Sequence, residues 1–406
     1  MITRRRFATI SATVLAAVGT GSAPDALAQV ASDPSPANEQ PAVKIGLLMT
    51  YTGQFTDPAA QMDNGVKLYM KLHGDSVAGK KMELIRKDTT GAPDVAKRLA
   101  QELIVNDKVD ILAGFVITPD ALAVAELSAA ARKFMVVMNA GTSIITTKSP
   151  YITRSSFTLS QNCEPLGRWA YANGARRVYT MVSDYATGHD AEAAFQRAFK
   201  EAGGEIIGST SMPLASPDFS AYVERAKDTN PDGIFVFVPG GSQPTALAKA
   251  LIERGMDPAQ LKIMGEGELT DESPLRTMGN AAIGIVTAYH YDYRHRSVDN
   301  AAFVKAYNAD FNRNPDTLSV GGYDGMHVIY ESLKKIDGRI DAESLIAAAK
   351  GLRWESPRGP VAIDPETRDI INTVYIRRVE KVADHVENVE IEKYENVKDP
   401  VKTRMN

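Results

Sequence analysis

The chain has 406 residues, and its 46 Lys and Arg side chains nearly balance its 50 Asp and Glu side chains. This balance, with the basic residues scattered, argues against a protein that binds nucleic acid or an acidic membrane surface. The single cysteine, Cys163, excludes an intrachain disulfide. A chain of this length buries enough core without disulfides, so we predict that Cys163 is a small buried residue and not a nucleophile.

The first 28 residues show the order of charged, apolar and small residues that is typical of a cleaved export signal. Thr3-Arg4-Arg5-Arg6-Phe7 resembles the twin-arginine pattern, and Ala26-Leu27-Ala28 precedes a predicted cleavage before Gln29. General secretory export stays the alternative, because Ala8-Thr9 replaces the usual Leu-Lys. No cysteine lies near the cleavage point to carry a lipid anchor. We therefore expect a protein that is released outside the cytoplasm.

Residues 29–42 hold three prolines among small and polar residues, and we predict a disordered leader there. Short runs rich in Val and Ile then predict buried strands at Val43–Met49, Met82–Lys87, Val109–Phe115, Met135–Asn139, Arg177–Ser183, Gly233–Val238, Lys262–Gly265 and Gly284–Ala288. Helical spacing between them predicts helices at Asp94–Val105, Asp120–Arg132, His189–Ala202, Ala221–Asp228 and Gln243–Arg254. This alternation predicts an α/β protein with parallel sheets.

The pattern changes after Asp292. The predicted helices there are Val298–Asn312, Val320–Ile336 and Ala342–Ala349, and the predicted strands that follow are Gly359–Ile363, Asn372–Val379 and Val386–Tyr394. We interpret this change as a return of the chain to domains that it has already started. The blocks 43–150 and 176–290 look like equivalent halves.

A search for enzyme chemistry finds no catalytic set. Residues 74–81 nearly match a phosphate-binding loop, but they link a helix to a strand, whereas a phosphate site needs strand, loop and helix in that order. The six histidines lack metal-ligand spacing. Glu266 and Glu268 resemble an acid pair, but no nucleophile and base accompany them. We therefore expect no enzyme, no metal and no cofactor.

Two loops at strand ends carry groups that suit an anion. Thr118 is predicted as a helix N-cap, and Asn139-Ala140-Gly141-Thr142-Ser143 follows a buried strand. Open parallel sheets bind ligands beyond the carboxyl ends of their strands, and free N–H groups at a helix start suit a carboxylate. Either loop alone is more often a helix cap than a site. Two such loops in succession on one sheet edge are equally consistent with a ligand site and with two helix caps.

A series of short motifs spans residues 43–399. They are Lys44-Ile45-Gly46-Leu47, Thr52-Gly53, Lys87-Asp88-Thr89, Asp110-Ile111-Leu112-Ala113-Gly114, Asp184-Tyr185-Ala186-Thr187-Gly188, Pro231-Asp232-Gly233-Ile234, Gly321-Gly322-Tyr323-Asp324-Gly325 and Asn388-Val389-Glu390-Ile391-Glu392. Their order and spacing resemble the branched-chain amino-acid-binding (Leu/Ile/Val-binding) family of type I periplasmic binding proteins. These proteins are the solute receptors of ATP-driven (ABC) importers.

The resemblance implies two Rossmann-like lobes with parallel sheets, joined by a three-strand hinge and closing on a ligand. The implied first lobe is 43–158 plus 291–337, the implied second lobe is 159–290 plus 338–395, and 396–406 is a tail. The resemblance also implies a monomeric, non-enzymatic protein of the periplasm. It would deliver a small-molecule carboxylate to an ABC transporter permease in the inner membrane.

The resemblance further implies a set of ligand-binding residues. On the first lobe these are Thr118, Ala140 and Thr142 at the ligand carboxylate, with Tyr51, Gln54 and Phe55 on the same wall. On the second lobe Thr187, Ser242 and Gly267 fall where amino-acid binders have two tyrosines and an acid for the α-amino group. Tyr185 is a candidate stacking wall.

The acid expected at Gly267 is displaced to Glu266 or Glu268. Because a buried ammonium without a carboxylate partner is costly, we expect an aromatic or other organic acid as the ligand. The alternative is an amino-acid receptor in which one of these glutamates binds the amine. An alternative of another class is the ligand-sensing domain of a regulatory system.

Overall fold

The structure is a computed structural model that describes residues 42–215 and 218–404. The predicted export signal and nearly all of the predicted leader lie outside the described residues. None of the described helices is long and apolar enough to cross a membrane.

The described residues form two sheets flanked by helices. The strands are β1 (Val43–Met49), β2 (Ser76–Val77), β3 (Lys80–Asp88), β4 (Ile111–Gly114), β5 (Phe134–Val137), β6 (Ile152–Arg154), β7 (Arg177–Ser183), β8 (Glu205–Met212), β9 (Gly233–Phe237), β10 (Lys262–Glu266), β11 (Val286–Tyr289), β12 (Arg353–Ser356), β13 (Gly359–Ile363), β14 (Ile370–Val382) and β15 (His385–Val397). The helices are α1 (Thr56–His73), α2 (Pro93–Val105), α3 (Thr118–Ala130), α4 (Leu159–Ala172), α5 (Ala186–Glu201), α6 (Ser220–Asp228), α7 (Gln243–Glu253), α8 (Glu272–Met278), α9 (Val298–Phe311), α10 (Thr317–Lys335), α11 (Ala342–Ala349) and α12 (Pro400–Thr403).

The first sheet has the strand order β2-β3-β1-β4-β5-β6. Apart from the antiparallel β2, its strands pair in parallel. The residues of β1, β4 and β5 are almost all buried, as expected for strands covered on both faces by helices. This sheet and the helices packed on it form the first lobe.

The second sheet runs β12-β13-β14-β11-β10-β9-β7-β8, and β15 pairs with β14. Its strands β8, β7, β9, β10 and β11 are parallel, whereas β12 to β15 pair in antiparallel fashion. The α/β fold with two lobes is therefore confirmed, and the sheet of the second lobe is mixed. Cys163 is buried in α4, as predicted, and burial raises the pKa of its thiol.

The chain passes between the sheets three times. It crosses after β6 into α4, after β11 into α9, and along β14, where Ile370 packs into the first core and Val374 into the second. Leu345 of α11 and Val361 of β13 pack into the core of the first sheet. The exact lobe boundaries in that stretch stay a prediction.

Two fully buried arginines bind the crossovers together. Arg358 pairs with Asp324 at 2.8 Å and donates hydrogen bonds to the backbone carbonyls of Ser155 and Ser156, in the first crossover. A guanidinium has five N–H donors, and burying its charge without partners is costly. The two carbonyls and the Asp324 carboxylate accept hydrogen bonds from these donors and so compensate for the burial. The first crossover is thereby fixed to the turn between β12 and β13.

Arg377 of β14 fixes the second crossover in the same manner. It pairs with Asp292 at 3.1 Å, and it donates hydrogen bonds to the carbonyls of Tyr291 at 3.1 Å and Gly267 at 3.0 Å. The guanidinium therefore joins the chain after β11 to the loop after β10.

The helices α1 and α10 pack closely because glycines lie at their interface. A Cβ at Gly65 would overlap the carbonyl oxygen of Ser319, and one at Gly322 would overlap the carbonyl oxygen of Met62. Such an approach leaves no room for even a methyl group.

We predict that Gly65→Ala destabilises the protein by about 1–3 kcal/mol through overpacking. In an exposed helix the same change would stabilise by about 0.5–1 kcal/mol, so the sign of the effect tests the packing. Thermal unfolding followed by circular dichroism measures it. Leu72→Ala, on the exposed face of the same helix, is the control. A melting temperature of Gly65→Ala equal to or above that of the parent protein would contradict this account.

Candidate ligand-binding site

A small cavity lies where the carboxyl ends of the two sheets meet. The strand order reverses between β1 and β4 in the first sheet and between β7 and β9 in the second, and open α/β sheets bind ligands at such points. The cavity wall from the first sheet includes Phe55, Ile117, Thr118, Asn139 and Ala140. The wall from the second includes Tyr185, Thr187, Phe237, Gly240 and Glu268.

The inner part of the cleft, between these walls, is closed. The cavity has a volume of about 30 Å³, whereas one water molecule needs roughly 10–15 Å³ measured in this way. Two neighbouring side chains from opposite lobes touch directly, because the Thr187 hydroxyl donates a hydrogen bond of 2.6 Å to the Thr118 hydroxyl. The walls therefore have to separate before a ligand of ring size can enter.

Two helices begin at this threonine pair. Thr118 is the first residue of α3, and Thr187 lies in the first turn of α5. Neither helix has a side-chain cap, so the N–H groups of the first turns, apart from Pro119, which has none, remain available at the cavity. Since helix N-termini carry partial positive charge, this end of the cavity suits an anion.

Thr118 lies one position further into α3 than the sequence predicts. The sequence pattern predicts Thr118 as the N-cap of α3, whereas Ile117 occupies that position in the structure. The Thr118 hydroxyl is therefore free of capping and reaches across the cleft to Thr187.

The rest of the inner wall is largely apolar and aromatic. Phe55, Phe157 and Phe237 line it, and Tyr185 stacks on Phe237 with ring centroids 6.2 Å apart and planes inclined by 30°. Aromatic rings provide a large apolar surface that favours a flat ligand.

Glu268 is the acidic side chain of the cavity wall. Its Oε2 accepts a hydrogen bond of 2.8 Å from the N–H of Gly240, in the loop after β9. Burial raises the pKa of Glu268, although the Gly240 N–H opposes the shift.

Glu266 does not line the cavity and instead holds Glu268 in place. It accepts hydrogen bonds from the side-chain amide of Asn162 at 3.0 Å and from the N–H of Glu268 at 2.9 Å. Burial, followed by the nearby charge of Glu268, raises the pKa of Glu266. The two glutamates thus have different surroundings and different roles.

The family model described as periplasmic binding protein matches residues 42–384. The chain belongs to this family. Among curated proteins, Leu/Ile/Val-binding protein homolog 6 of Brucella melitensis is 42% identical to the binding protein over 363 residues, which cover 88% of this chain and 93% of the relative. The family predicted from the sequence motifs is therefore confirmed.

Two solved structures of solute-binding proteins of ABC transporters are similar over almost their whole length. The protein from Rhodopseudomonas palustris BisB5, in complex with 3,4-dihydroxybenzoic acid, is 52% identical with a TM-score of 0.86, covering 89% of this chain and 99% of that one. The protein from Rhodopseudomonas palustris HaA2, in complex with p-hydroxybenzoic acid, is 40% identical with a TM-score of 0.87, covering 89% and 100%.

Several residues predicted for the site are not free to bind a ligand carboxylate. Ala140 lines the cavity, but its N–H donates to the carbonyl of Phe115 at 3.0 Å. Thr142 donates its hydroxyl to the carboxylate of Asp190 at 2.5 Å, and the N–H of Ser143 donates to the same oxygen at 2.8 Å. A carboxylate of the second lobe thus already occupies the donors of this loop.

Gly267 also lies outside the cavity. Its carbonyl accepts from Arg377, and a Cβ at this position would overlap the ring of Tyr289. An acidic side chain does not fit here, which explains physically why the acid of the cavity wall is Glu268.

The remaining predicted residues, Tyr51, Gln54 and Ser242, do not line the inner cavity. Tyr51 has a buried hydroxyl without a hydrogen-bond partner among the described residues, and burial raises its pKa. Gln54 and Ser242 line an outer cavity of about 1040 Å³, which shares Gly240 and Glu268 with the inner one. No sequence pattern predicted a role for Phe157, Phe237 or Asp190. Of these, Phe237 alone carried a signal, since it lies near the end of the predicted strand Gly233–Val238.

No group of three or more His, Cys, Asp or Glu side chains within 42–215 and 218–404 is arranged to hold a metal ion.

We predict that Glu266→Gln changes how stability depends on pH. A raised pKa in the folded protein means that the folded state holds the proton more tightly, so the free energy of unfolding falls as pH rises above the ordinary value of 4.5 towards the raised one. The glutamine variant lacks this fall, and its stability relative to the parent protein should improve steadily above pH 5. Thermal melts across pH 5 to 8 measure it, with exposed Glu126→Gln as the control. A stability difference that is constant with pH would refute the assignment.

Proposed function

We propose that this binding protein captures an aromatic carboxylate of the hydroxybenzoate class between its lobes and delivers it to the permease of an ABC transporter. The observation that carries the proposal is the meeting of two helix N-termini, at Thr118 and Thr187, in an otherwise aromatic cavity. The helix starts suit the carboxylate, and the rings of Phe55, Tyr185 and Phe237 suit a flat ligand. The relatives bound to 3,4-dihydroxybenzoic acid and p-hydroxybenzoic acid support this ligand class.

Both lobes are needed to hold such an anion. The first turn of α3 belongs to one lobe and that of α5 to the other, so the two helix starts converge only when the cleft is closed. A ligand shifts an equilibrium between conformations only through a difference in affinity for them. An aromatic acid therefore stabilises the closed form and presents it to the permease. In agreement with the family, we place the protein in the periplasm.

An amino-acid ligand is the second candidate. The Brucella relative is named a Leu/Ile/Val-binding protein homolog, and Glu268 provides a carboxylate in the cavity wall that an ammonium group could contact. The two candidates differ in what they require of the cavity, since an amino acid carries a cation beside its carboxylate.

Isothermal titration calorimetry tests the proposal. We expect binding of 4-hydroxybenzoate and 3,4-dihydroxybenzoate, and no measurable heat with leucine. Methyl 4-hydroxybenzoate keeps the ring and lacks the charge, so it should bind at least about 10-fold more weakly. Failure of both aromatic acids to bind, or tighter binding of leucine, would overturn the proposed function.

We predict that Gly241→Ala weakens binding of 4-hydroxybenzoate by obstructing closure. Gly241 has φ +95°, and a Cβ there would lie 2.6 Å from the carbonyl oxygen of Gln54 in the other lobe. The matched control is Gly174→Ala, where φ is +93° and a Cβ meets nothing within 4 Å. Both variants should lose stability through backbone strain.

Only Gly241→Ala should lose affinity, by about 10-fold or more, and fail to become compact with ligand in small-angle X-ray scattering. Equal affinities of the two variants would show that the loop around Gln54 does not limit closure.

A further inference from the structure

Glu268 lies nearer to the outer cavity than the pair Thr118 and Thr187 does. Thr118 and Thr187 line the inner cavity and are absent from the lining of the outer one, whereas Glu268 lines both. A path from the threonine pair to the outer cavity therefore passes Glu268. A ligand with its carboxylate at the helix starts would direct its other end towards this side chain.

One oxygen of the Glu268 carboxyl lacks a partner. Oε2 accepts from Gly240, but Oε1 makes no hydrogen bond with any described residue, although the residue is only 8% exposed. Oε1 is not fully enclosed by the protein, and a carboxyl oxygen is an acceptor. It can therefore accept a hydrogen bond from a donor group of a ligand in the cavity.

We propose that Glu268 determines specificity by accepting a hydrogen bond from a ring hydroxyl of the ligand, and so selects hydroxylated aromatic acids over benzoate. This inference rests on the proposed function, because it assumes that an aromatic carboxylate enters the cavity. A ring hydroxyl is attached to an apolar ring, which matches a carboxyl on the wall of a cavity that Phe237, Pro239 and Leu318 also line.

A ring hydroxyl fits this position better than an ammonium group. In an amino acid the ammonium is one carbon away from the carboxylate carbon, so it would lie beside the threonine pair. A hydroxyl at the meta or para position lies across the ring from the carboxylate and is directed towards the outer cavity, whose lining includes Glu268.

Hydrogen bonds from neighbouring residues fix the position of Glu268, which makes it a well-oriented acceptor. Its backbone N–H is held by Glu266, which Asn162 of α4 holds in turn, and Gly240 holds one carboxyl oxygen. Side chains fixed in this way recognise polar groups with good geometry. Burial raises the pKa of Glu268, and a hydrogen bond from the ligand to its carboxylate would oppose this shift.

The test is calorimetry of the whole protein and of Glu268→Gln and Glu268→Met, with benzoate, 3-hydroxybenzoate, 4-hydroxybenzoate, 4-methoxybenzoate and leucine. The methoxy compound has the size of a para substituent but no donor. We expect the parent protein to prefer at least one hydroxybenzoate over benzoate, and over the methoxy compound in the para case, by about 10-fold or more, as for a hydrogen bond to a charged group.

Glu268→Met should remove that preference while benzoate still binds. Glu268→Gln keeps an acceptor for Gly240 and should show an intermediate preference, because neutral hydrogen bonds are weaker than charged ones. The glutamine variant also keeps the test valid if the methionine variant fails to fold. Exposed Glu253→Gln, in the same lobe, is the control and should retain the preference of the parent protein.

The outcomes separate the two claims. If aromatic acids bind but all variants keep the same preference for hydroxylated rings, the role of Glu268 is wrong and the proposed function stands. If leucine binds and loses affinity in Glu268→Gln while the hydroxybenzoates do not, Glu268 binds an ammonium and the inference is wrong. If no aromatic acid binds to the parent protein, the proposed function fails and the inference fails with it.

Discussion

Two buried guanidinium groups constrain how the lobes can face each other. Arg358 and Arg377 carry charges that the core tolerates only because backbone carbonyls of the crossovers and the carboxylates of Asp324 and Asp292 surround them. The hydrogen bonds of Arg377 also reach the carbonyl of Gly267, so the same charge fixes the loop that leads to Glu268. The alignment of the two sheet edges, and hence the cavity between them, depends on these contacts.

Much of the fold could be predicted because buried parallel strands leave a strong apolar signal. The predicted bounds of β1 and β7 match the structure, and α2 differs by one residue. The helices α1 and α4 were not predicted from the sequence, because their buried faces are not simply apolar. Gly65 lies within α1, and α4 contains Pro165 and buries Gln161, whose side chain donates to carbonyls of β14 and β15. Contacts of this kind depend on tertiary neighbours that a local pattern does not contain.

The candidate site was predictable in part. A strand-end loop pointed to Thr118, and the family resemblance pointed to Phe55, Tyr185, Thr187 and Glu268. The structure brings all five to one cavity. Thr142 and Gly267 carried the same kind of signal but lie elsewhere. Their environments are decided by Asp190 and Tyr289, which belong to other segments of the chain. Spacing along the sequence places a residue at a sheet edge, but it does not reveal which neighbour has already taken its hydrogen bonds.

The closed walls have a kinetic consequence. A ring cannot enter or leave the inner cavity while its walls touch, so the residence time of a captured molecule is set by how often the lobes part and not solely by the strength of its own contacts. A transporter that separates the lobes would accelerate release of the ligand without changing any residue that contacts it. Tight retention during diffusion and rapid unloading at the membrane are then compatible in one protein.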